Sequence, residues 1–87
     1  MLRISIVESS GHAVTLRVEG EVKGRWVEEL GRTCEETLSR GVQLILDLAD
    51  VSFIDSDGIA LFRILADRRV NFVNPSSFIS GQIEESL

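Results

Sequence analysis

The chain has few cysteines, few basic residues and no long apolar run, and each of these features excludes a class of protein. It has a single cysteine, so no disulfide can form within it, which suits a reducing compartment. It has nine basic residues against 14 acidic ones, and the net charge of −5 argues against nucleic-acid binding. No apolar run approaches the roughly 20 residues of a membrane-spanning helix, and the alternating N-terminus is unlike a signal peptide. We therefore expect a cytoplasmic protein that neither inserts into a membrane nor binds nucleic acid.

The length predicts one domain covering residues 1–87. Chains of this size form a single hydrophobic core, and 44% hydrophobic residues are enough for one. The chain is too short for a large enzyme cleft between two domains.

Alternating apolar residues predict two strands at the start of the chain. Turn-forming residues 8–12 separate the two alternating runs, so the strands should form an antiparallel hairpin. The apolar positions are Leu2, Ile4 and Ile6 in the first strand and Val14, Leu16 and Val18 in the second.

The spacing of the apolar residues then changes from every second residue to about every fourth, which is typical of a helix. Trp26, Leu30, Cys34 and Leu38 recur every four residues, and Gly41 is a suitable residue to stop the helix. Residues 42–48 predict a central strand, 59–66 a second helix and 70–73 a short strand. The tail predicts a last helix, with an apolar face of Phe78, Ile79, Ile83 and Leu87. The order β-β-α-β-α-β-α predicts an α/β fold, a mixed β-sheet with helices packed over it.

One polar motif, Asp55-Ser56-Asp57-Gly58, separates the central strand from the apolar second helix. Ser and Asp at this position suit a helix N-cap and first turn, where they meet free backbone N–H groups. The same geometry suits a phosphate group. Both interpretations remain open from the residues alone.

Catalysis by this motif is disfavoured. The motif resembles the first motif of haloacid-dehalogenase-type phosphatases, but Lys23, the single lysine, lies upstream and the chain is too short for the rest of that fold. A calcium loop would need further acidic ligands. His12 stands alone in a turn, and Cys34 lies on an apolar stripe. We therefore predict no catalytic residue, no metal site and no cofactor, and a chain that is not an enzyme.

Residues 44–61 resemble the signature of STAS domains, the sulfate-transporter and anti-sigma-factor-antagonist modules. The shared features are an apolar strand ending in Asp-Leu, an Asp-Ser-Ser-Gly-like turn and an apolar helix. The hairpin, residues 18–22 and residues 72–76 also resemble family counterparts in the right order. The likeness covers nearly the whole chain, although the C-terminal end is shorter than in most members.

The resemblance implies protein–protein switching. Antagonists of this family bind a serine kinase that doubles as an anti-sigma factor, and phosphorylation at the start of the second helix breaks the complex. The phosphoacceptor serine matches Asp57, which has no hydroxyl for a serine kinase to phosphorylate and carries one negative charge at neutral pH. Lys23 stands where antagonists usually have an acidic residue, so the resemblance suggests a Lys23–Asp57 ion pair. Ser56 is the remaining hydroxyl within the motif.

Two kinds of partner fit the resemblance. The first is an anti-sigma factor of the serine-kinase type. The second is the ATPase of a lipid-transporting ABC complex, or a stressosome-type assembly, to which the domain would belong as a structural subunit; a homodimer is also possible. Both place the contact surface at the start of the second helix, where we expect Ile59, Leu61, Phe62 and Arg63 to contact the partner. The alternative is that these apolar residues pack under the last helix.

Overall fold

The computed structural model describes residues 1–86, with side chains described through residue 83. Its elements in chain order are β1 (Leu2–Ser9), β2 (Ala13–Val22), α1 (Arg25–Leu38), β3 (Gln43–Ile54), α2 (Ser56–Asp67), β4 (Asn71–Val73) and α3 (Ser77–Ser86). This is the order predicted from the sequence. The main difference is β3, which continues six residues beyond the predicted 42–48. The predicted place of Leu87 on the last helix lies outside the described residues.

The strands form one mixed sheet in the order β1-β2-β3-β4. β1 and β2 form the predicted antiparallel hairpin, whereas β2 pairs with β3, and β3 with β4, in parallel. Parallel neighbours need a crossover, and α1 and α2 supply the two crossovers. Because β2 and β3 stay paired as far as Val22 and Ile54, both strands end at the same edge of the sheet.

Helices cover one face of the sheet. The alternate residues of the two central strands that point to this face are buried: Val14, Leu16 and Val18 of β2 and Leu44, Leu46 and Leu48 of β3. The opposite face is mostly polar, with Arg17 directly opposite Asp47, and Arg3 opposite Glu19. A sheet covered on one side shows this alternation of apolar and polar residues.

Each helix contributes side chains to the same core. α1 buries Leu30 and Cys34, and α3 buries Ile79 and Ile83. α2 buries Phe62, whose ring stacks on that of Phe72 with the centroids 5.2 Å apart. These contacts confirm the apolar stripe expected for α1 and place Cys34 inside the protein. Burial raises the pKa of the Cys34 thiol to about 12.

Left-handed residues follow the first two helices. α1 ends at Leu38, and Gly41, at φ 77°, follows after a short turn. After α2, Arg69 has φ 64°, its N–H donates to the carbonyl of Ala66, and the Val70 N–H donates to that of Leu65. This pair of bonds is a Schellman motif, in which glycine usually occupies the position of Arg69.

No helix in residues 1–86 is long and apolar enough to cross a bilayer.

Candidate functional site

Asp55 joins the beginnings of two helices. It is the N-cap of α2, and its Oδ1 accepts a hydrogen bond of 2.8 Å from the Gly58 N–H. Its Oδ2 accepts a second bond, of 3.0 Å, from the N–H of Gly24, which precedes α1. Its own N–H donates to the carbonyl of Val22 at 3.0 Å, so the end of β2 is tied to the same residue. Asp55 therefore has the capping role that the sequence allowed.

These bonds favour the ionised form of Asp55. The N–H of Gly58 makes the largest contribution and that of Gly24 the next, and together they hold the pKa of the Asp55 carboxyl below its usual value. The positive charge of Lys23 acts in the same direction with a smaller effect. Folding and ionisation of Asp55 are therefore linked.

Gly58 has no room for a side chain. A Cβ placed on it would lie 2.7 Å from Cγ1 of Ile54 and 2.8 Å from the carbonyl oxygen of Val22. The first turn of α2 therefore packs directly against the ends of β2 and β3, and only glycine allows this approach. The position of α2 on the sheet is fixed at its first turn.

Ser56 and Asp57 are exposed in that first turn. Neither is needed for the capping bonds, which Asp55 makes. The Asp57 carboxylate forms no ion pair in the described part of the chain. A negative charge at the positive end of a helix is favourable by about 0.3–1 kcal/mol at most surface sites. The carboxylate of Asp57 is thus exposed and takes no part in holding the turn together.

Lys23 does not pair with Asp57. Its Nζ lies 3.6 Å from Oε1 of Glu21 instead, and both side chains are about half exposed. Residues two apart on an extended chain point to the same side, which brings Glu21 and Lys23 together. The structure therefore does not contain the Lys23–Asp57 ion pair that the resemblance suggests, and Lys23 lies beside Glu21 and close enough to Asp55 to lower the pKa of its carboxyl.

The expected contact surface on α2 needs a correction. Phe62 is 0% exposed and stacks on Phe72, so it belongs to the core and no partner can reach it. Ile59 and Leu61 are half-buried, and the Leu61 methyl groups lie against α1 at Gly31. Of the four residues named from the sequence, only Arg63 is exposed.

The exposed stripe of α2 consists of Asp57, Ala60, Arg63, Ile64 and Asp67. Four of them, Ala60, Arg63, Ile64 and Asp67, line a shallow depression of about 270 Å³. Ile64 is 55% exposed, a high value for a large apolar side chain. The stripe therefore presents apolar surface between charges of both signs.

Residues 5–81 match the sequence family described as "Mlab, STAS domain". The chain belongs to the STAS family. Among solved structures, this STAS domain is similar to the one titled "Structure of the Anti-Sigma Factor Antagonist SpoIIAA in its Unphosphorylated Form". The TM-score is 0.72 and the identity 22%, with 94% of this chain and 82% of that chain covered. No curated protein sequence matches the chain significantly.

The exposed stripe of the STAS domain could have been found more completely from the sequence. Ala60, Ile64 and Asp67 follow Asp57 at three- and four-residue intervals, which is the spacing of one helix face. The signal was obscured because α2 is apolar on almost every side, so composition alone does not separate Ile64 from Phe62.

Within the described residues, no group of three or more His, Cys, Asp or Glu side chains could hold a metal ion.

Proposed function

We propose that this STAS domain is a non-enzymatic, cytoplasmic binding module of the anti-sigma factor antagonist type. Its partner is an anti-sigma factor of the serine-kinase class, bound at the exposed start of α2. Asp57 takes the place of the phosphoacceptor serine that the family resemblance puts at this position. The likeness of the fold to an unphosphorylated antagonist supports the proposal.

The exposure of Asp57 beside a separate, structural Asp55 is the central observation. Because Asp55 and Gly58 meet the structural requirements of the turn, residue 57 is available for recognition. Asp57 carries one negative charge, whereas a phosphoserine carries about 1.5 to 2. At residue 57 the domain is therefore intermediate in charge between an antagonist with serine and one with phosphoserine. A serine kinase cannot change that charge.

The contact surface includes Asp57 and the stripe that follows it on α2. Ile64 supplies the apolar centre, and Arg63 and Asp67 supply charges at its border. Interfaces commonly combine a buried apolar centre with a polar rim, and charges in the rim set specificity and association rate.

The side chain at residue 57 also favours a second candidate function. A carboxylate cannot be phosphorylated by a serine kinase, so phosphorylation at this position cannot release a partner. A subunit that stays attached needs no release. The domain would then be an accessory subunit of a lipid-transporting ABC complex, bound to its ATPase, or a part of a stressosome-type assembly.

The test is calorimetric titration of the purified domain with serine-kinase anti-sigma factors and with ABC ATPases encoded in the source genome. The variants are Asp57→Ser, Asp57→Lys and, as a matched control at an exposed acid outside α2 and its stripe, Asp50→Ser. We expect an anti-sigma factor to bind the wild-type domain, and to bind Asp57→Ser more tightly than the wild type. We expect phosphorylation of Asp57→Ser by that kinase with ATP, and none of the wild type.

The outcomes separate the two candidates. Tight ATPase binding that is unchanged by Asp57→Ser would favour the accessory subunit. Loss of anti-sigma binding in Asp57→Lys but not in Asp50→Ser, with circular dichroism spectra alike, would place the contact at the start of α2. Equal binding by all four proteins would remove Asp57 from the interface. For the stripe, Ile64→Glu should weaken binding without lowering the melting temperature.

A further inference from the structure

The two outer strands of the sheet differ in how far they are protected. β4 has three residues and is followed by Asn74 and Pro75, which limits pairing with another strand. β1 has eight residues, and its apolar residues Ile6 and Val7 are 63% and 47% exposed. A long outer strand with exposed apolar side chains is a site where another strand can add to the sheet.

One hydrogen bond shows which backbone groups of β1 face outward. The N–H of Glu21 donates to the carbonyl of Met1 at 3.3 Å, in register with the pairing of Leu2 and Gly20. In an antiparallel pair, hydrogen-bonded residues alternate with residues whose N–H and C=O point away from the partner strand. The odd residues Met1, Arg3 and Ser5 therefore bond to β2. The even residues Leu2, Ile4 and Ile6 present their N–H and C=O groups to solvent.

A groove runs beside this edge on the helical side of the sheet. Its volume is about 400 Å³, and its lining residues are Ile4, Ile6, Leu16, Thr33, Glu36, Thr37 and Arg40. The floor is apolar, and the wall formed by α1 carries one acidic and one basic residue four positions apart. Neither Glu36 nor Arg40 takes part in an ion pair within the described residues.

We propose that the outer edge of β1 binds a second copy of this chain. The two β1 strands pair antiparallel about a two-fold axis at Ser5. Ile4 then lies opposite the second copy's Ile6, and the reverse pair forms on the other side of the axis. Both residues have outward-facing N–H and C=O groups, so each pair can form two backbone hydrogen bonds. The four isoleucines also close the ends of the two grooves.

The charges on α1 favour a second copy over an unrelated strand. A two-fold axis brings the same surface of both copies together, so each charged residue must meet its opposite. Glu36 and Arg40 lie one turn apart on the same face of α1. Across the axis the two α1 helices run antiparallel. Glu36 and Arg40 line the same groove as Ile4 and Ile6, which flank the axis at Ser5, so Glu36 of each copy would face Arg40 of the other. The surface is complementary to itself in both hydrogen bonding and charge.

Disulfide cross-linking tests this pairing at one residue. In the proposed register Ser5 faces Ser5 of the second copy as a non-hydrogen-bonded pair, with Cα atoms about 4.5 Å apart. That distance permits a disulfide. Ser5→Cys should therefore give a covalent dimer under mild oxidation. Arg3→Cys is the matched control on the same strand and face, and should stay monomeric because it lies opposite Val7. The native Cys34 is fully buried and should not interfere.

Sedimentation equilibrium of the wild type should show a reversible dimer. Ile6→Pro removes an outward N–H without removing a bond to β2, and should raise the dimer dissociation constant at least about tenfold. Ile6→Lys is the second variant, in case proline disturbs the strand. Glu36→Arg should weaken the dimer, and Glu36→Arg with Arg40→Glu should restore it.

Each outcome bears directly on the proposal. A monomer at every concentration, with no cross-link through Ser5→Cys, would overturn it. A dimer that cross-links through Arg3→Cys in preference to Ser5→Cys would also overturn it, as would one unaffected by either Ile6 variant. The residues involved lie outside the 55–58 motif and the α2 stripe, so the result is independent of the proposed partner at that site.

Discussion

Removing the carboxylate of Asp55 should destabilise the whole domain, since one side chain caps α2 and holds the start of α1. Loss of an N-cap side chain costs about 1 kcal/mol, within a range of about 0.5–2. The bond to Gly24 should add about 1 kcal/mol. We therefore expect Asp55→Ala to lower the free energy of unfolding by about 2 kcal/mol.

This loss is large for a domain of 87 residues. At about 4–8 °C per kcal/mol, Asp55→Ala should melt roughly 8–16 °C below the wild type. Asp55→Asn separates the two bonds, because its amide oxygen can still cap α2 while its NH₂ group faces the Gly24 N–H. It should lose about 1 kcal/mol. Asp57→Ala, an exposed residue in the same turn, is the control and should melt within a few degrees of the wild type.

The effect should also depend on pH. The pKa of Asp55 is lowered in the folded protein, so its contribution is complete above the unfolded value of about 3.9 and is lost as the pH falls through the folded value. The difference in stability between the wild type and Asp55→Asn should therefore shrink in acid. Urea denaturation at neutral and acidic pH measures it. Equal melting of Asp55→Ala and Asp57→Ala, or a difference independent of pH, would refute the role assigned to Asp55.

Three further predictions concern single residues. Gly58→Ala should destabilise the domain by about 1–3 kcal/mol in urea denaturation, because the new methyl group would overlap the carbonyl of Val22; a loss below about 0.5 kcal/mol would contradict the close packing. Arg69→Gly should instead stabilise it by about 1 kcal/mol by relieving the left-handed conformation, and an unchanged melting temperature would argue against strain there. The Cys34 thiol, with its pKa raised to about 12, should react with a thiol reagent at pH 8 only as fast as the protein unfolds, and at once in denaturant.

The order of the elements could be predicted because each change of structure coincides with a change of hydrophobic period. The point at which β3 ends could not be predicted in this way. Beyond Leu48 the strand includes the exposed residues Ala49 and Asp50, and it continues because β2 remains available as a partner as far as Val22. Strand length here depends on pairing between residues far apart in the chain, which local composition does not report.

The residue types at the site could be predicted from the sequence, but most of the contacts that those residues make could not. Asp at an N-cap follows from its chemistry, but the second bond of Asp55 joins residues 31 positions apart and depends on the packing of two helices. Phe62 could not be assigned to the core from a helix that is apolar on most sides. Its burial depends on tertiary packing, in which its ring stacks on that of Phe72 on β4.

The contacts of Asp55 and Gly58 bear on how this surface can vary. Because backbone bonds and close packing hold the first turn of α2, the partner proposed above would meet a turn that is already ordered, and little entropy would be lost in ordering it. The fold restricts residues 55 and 58 while leaving residue 57 unrestricted. A serine, an aspartate or a phosphorylated serine at that position would be displayed on the same backbone. The charge offered to a partner can thus change in one substitution, with the shape of the surface retained.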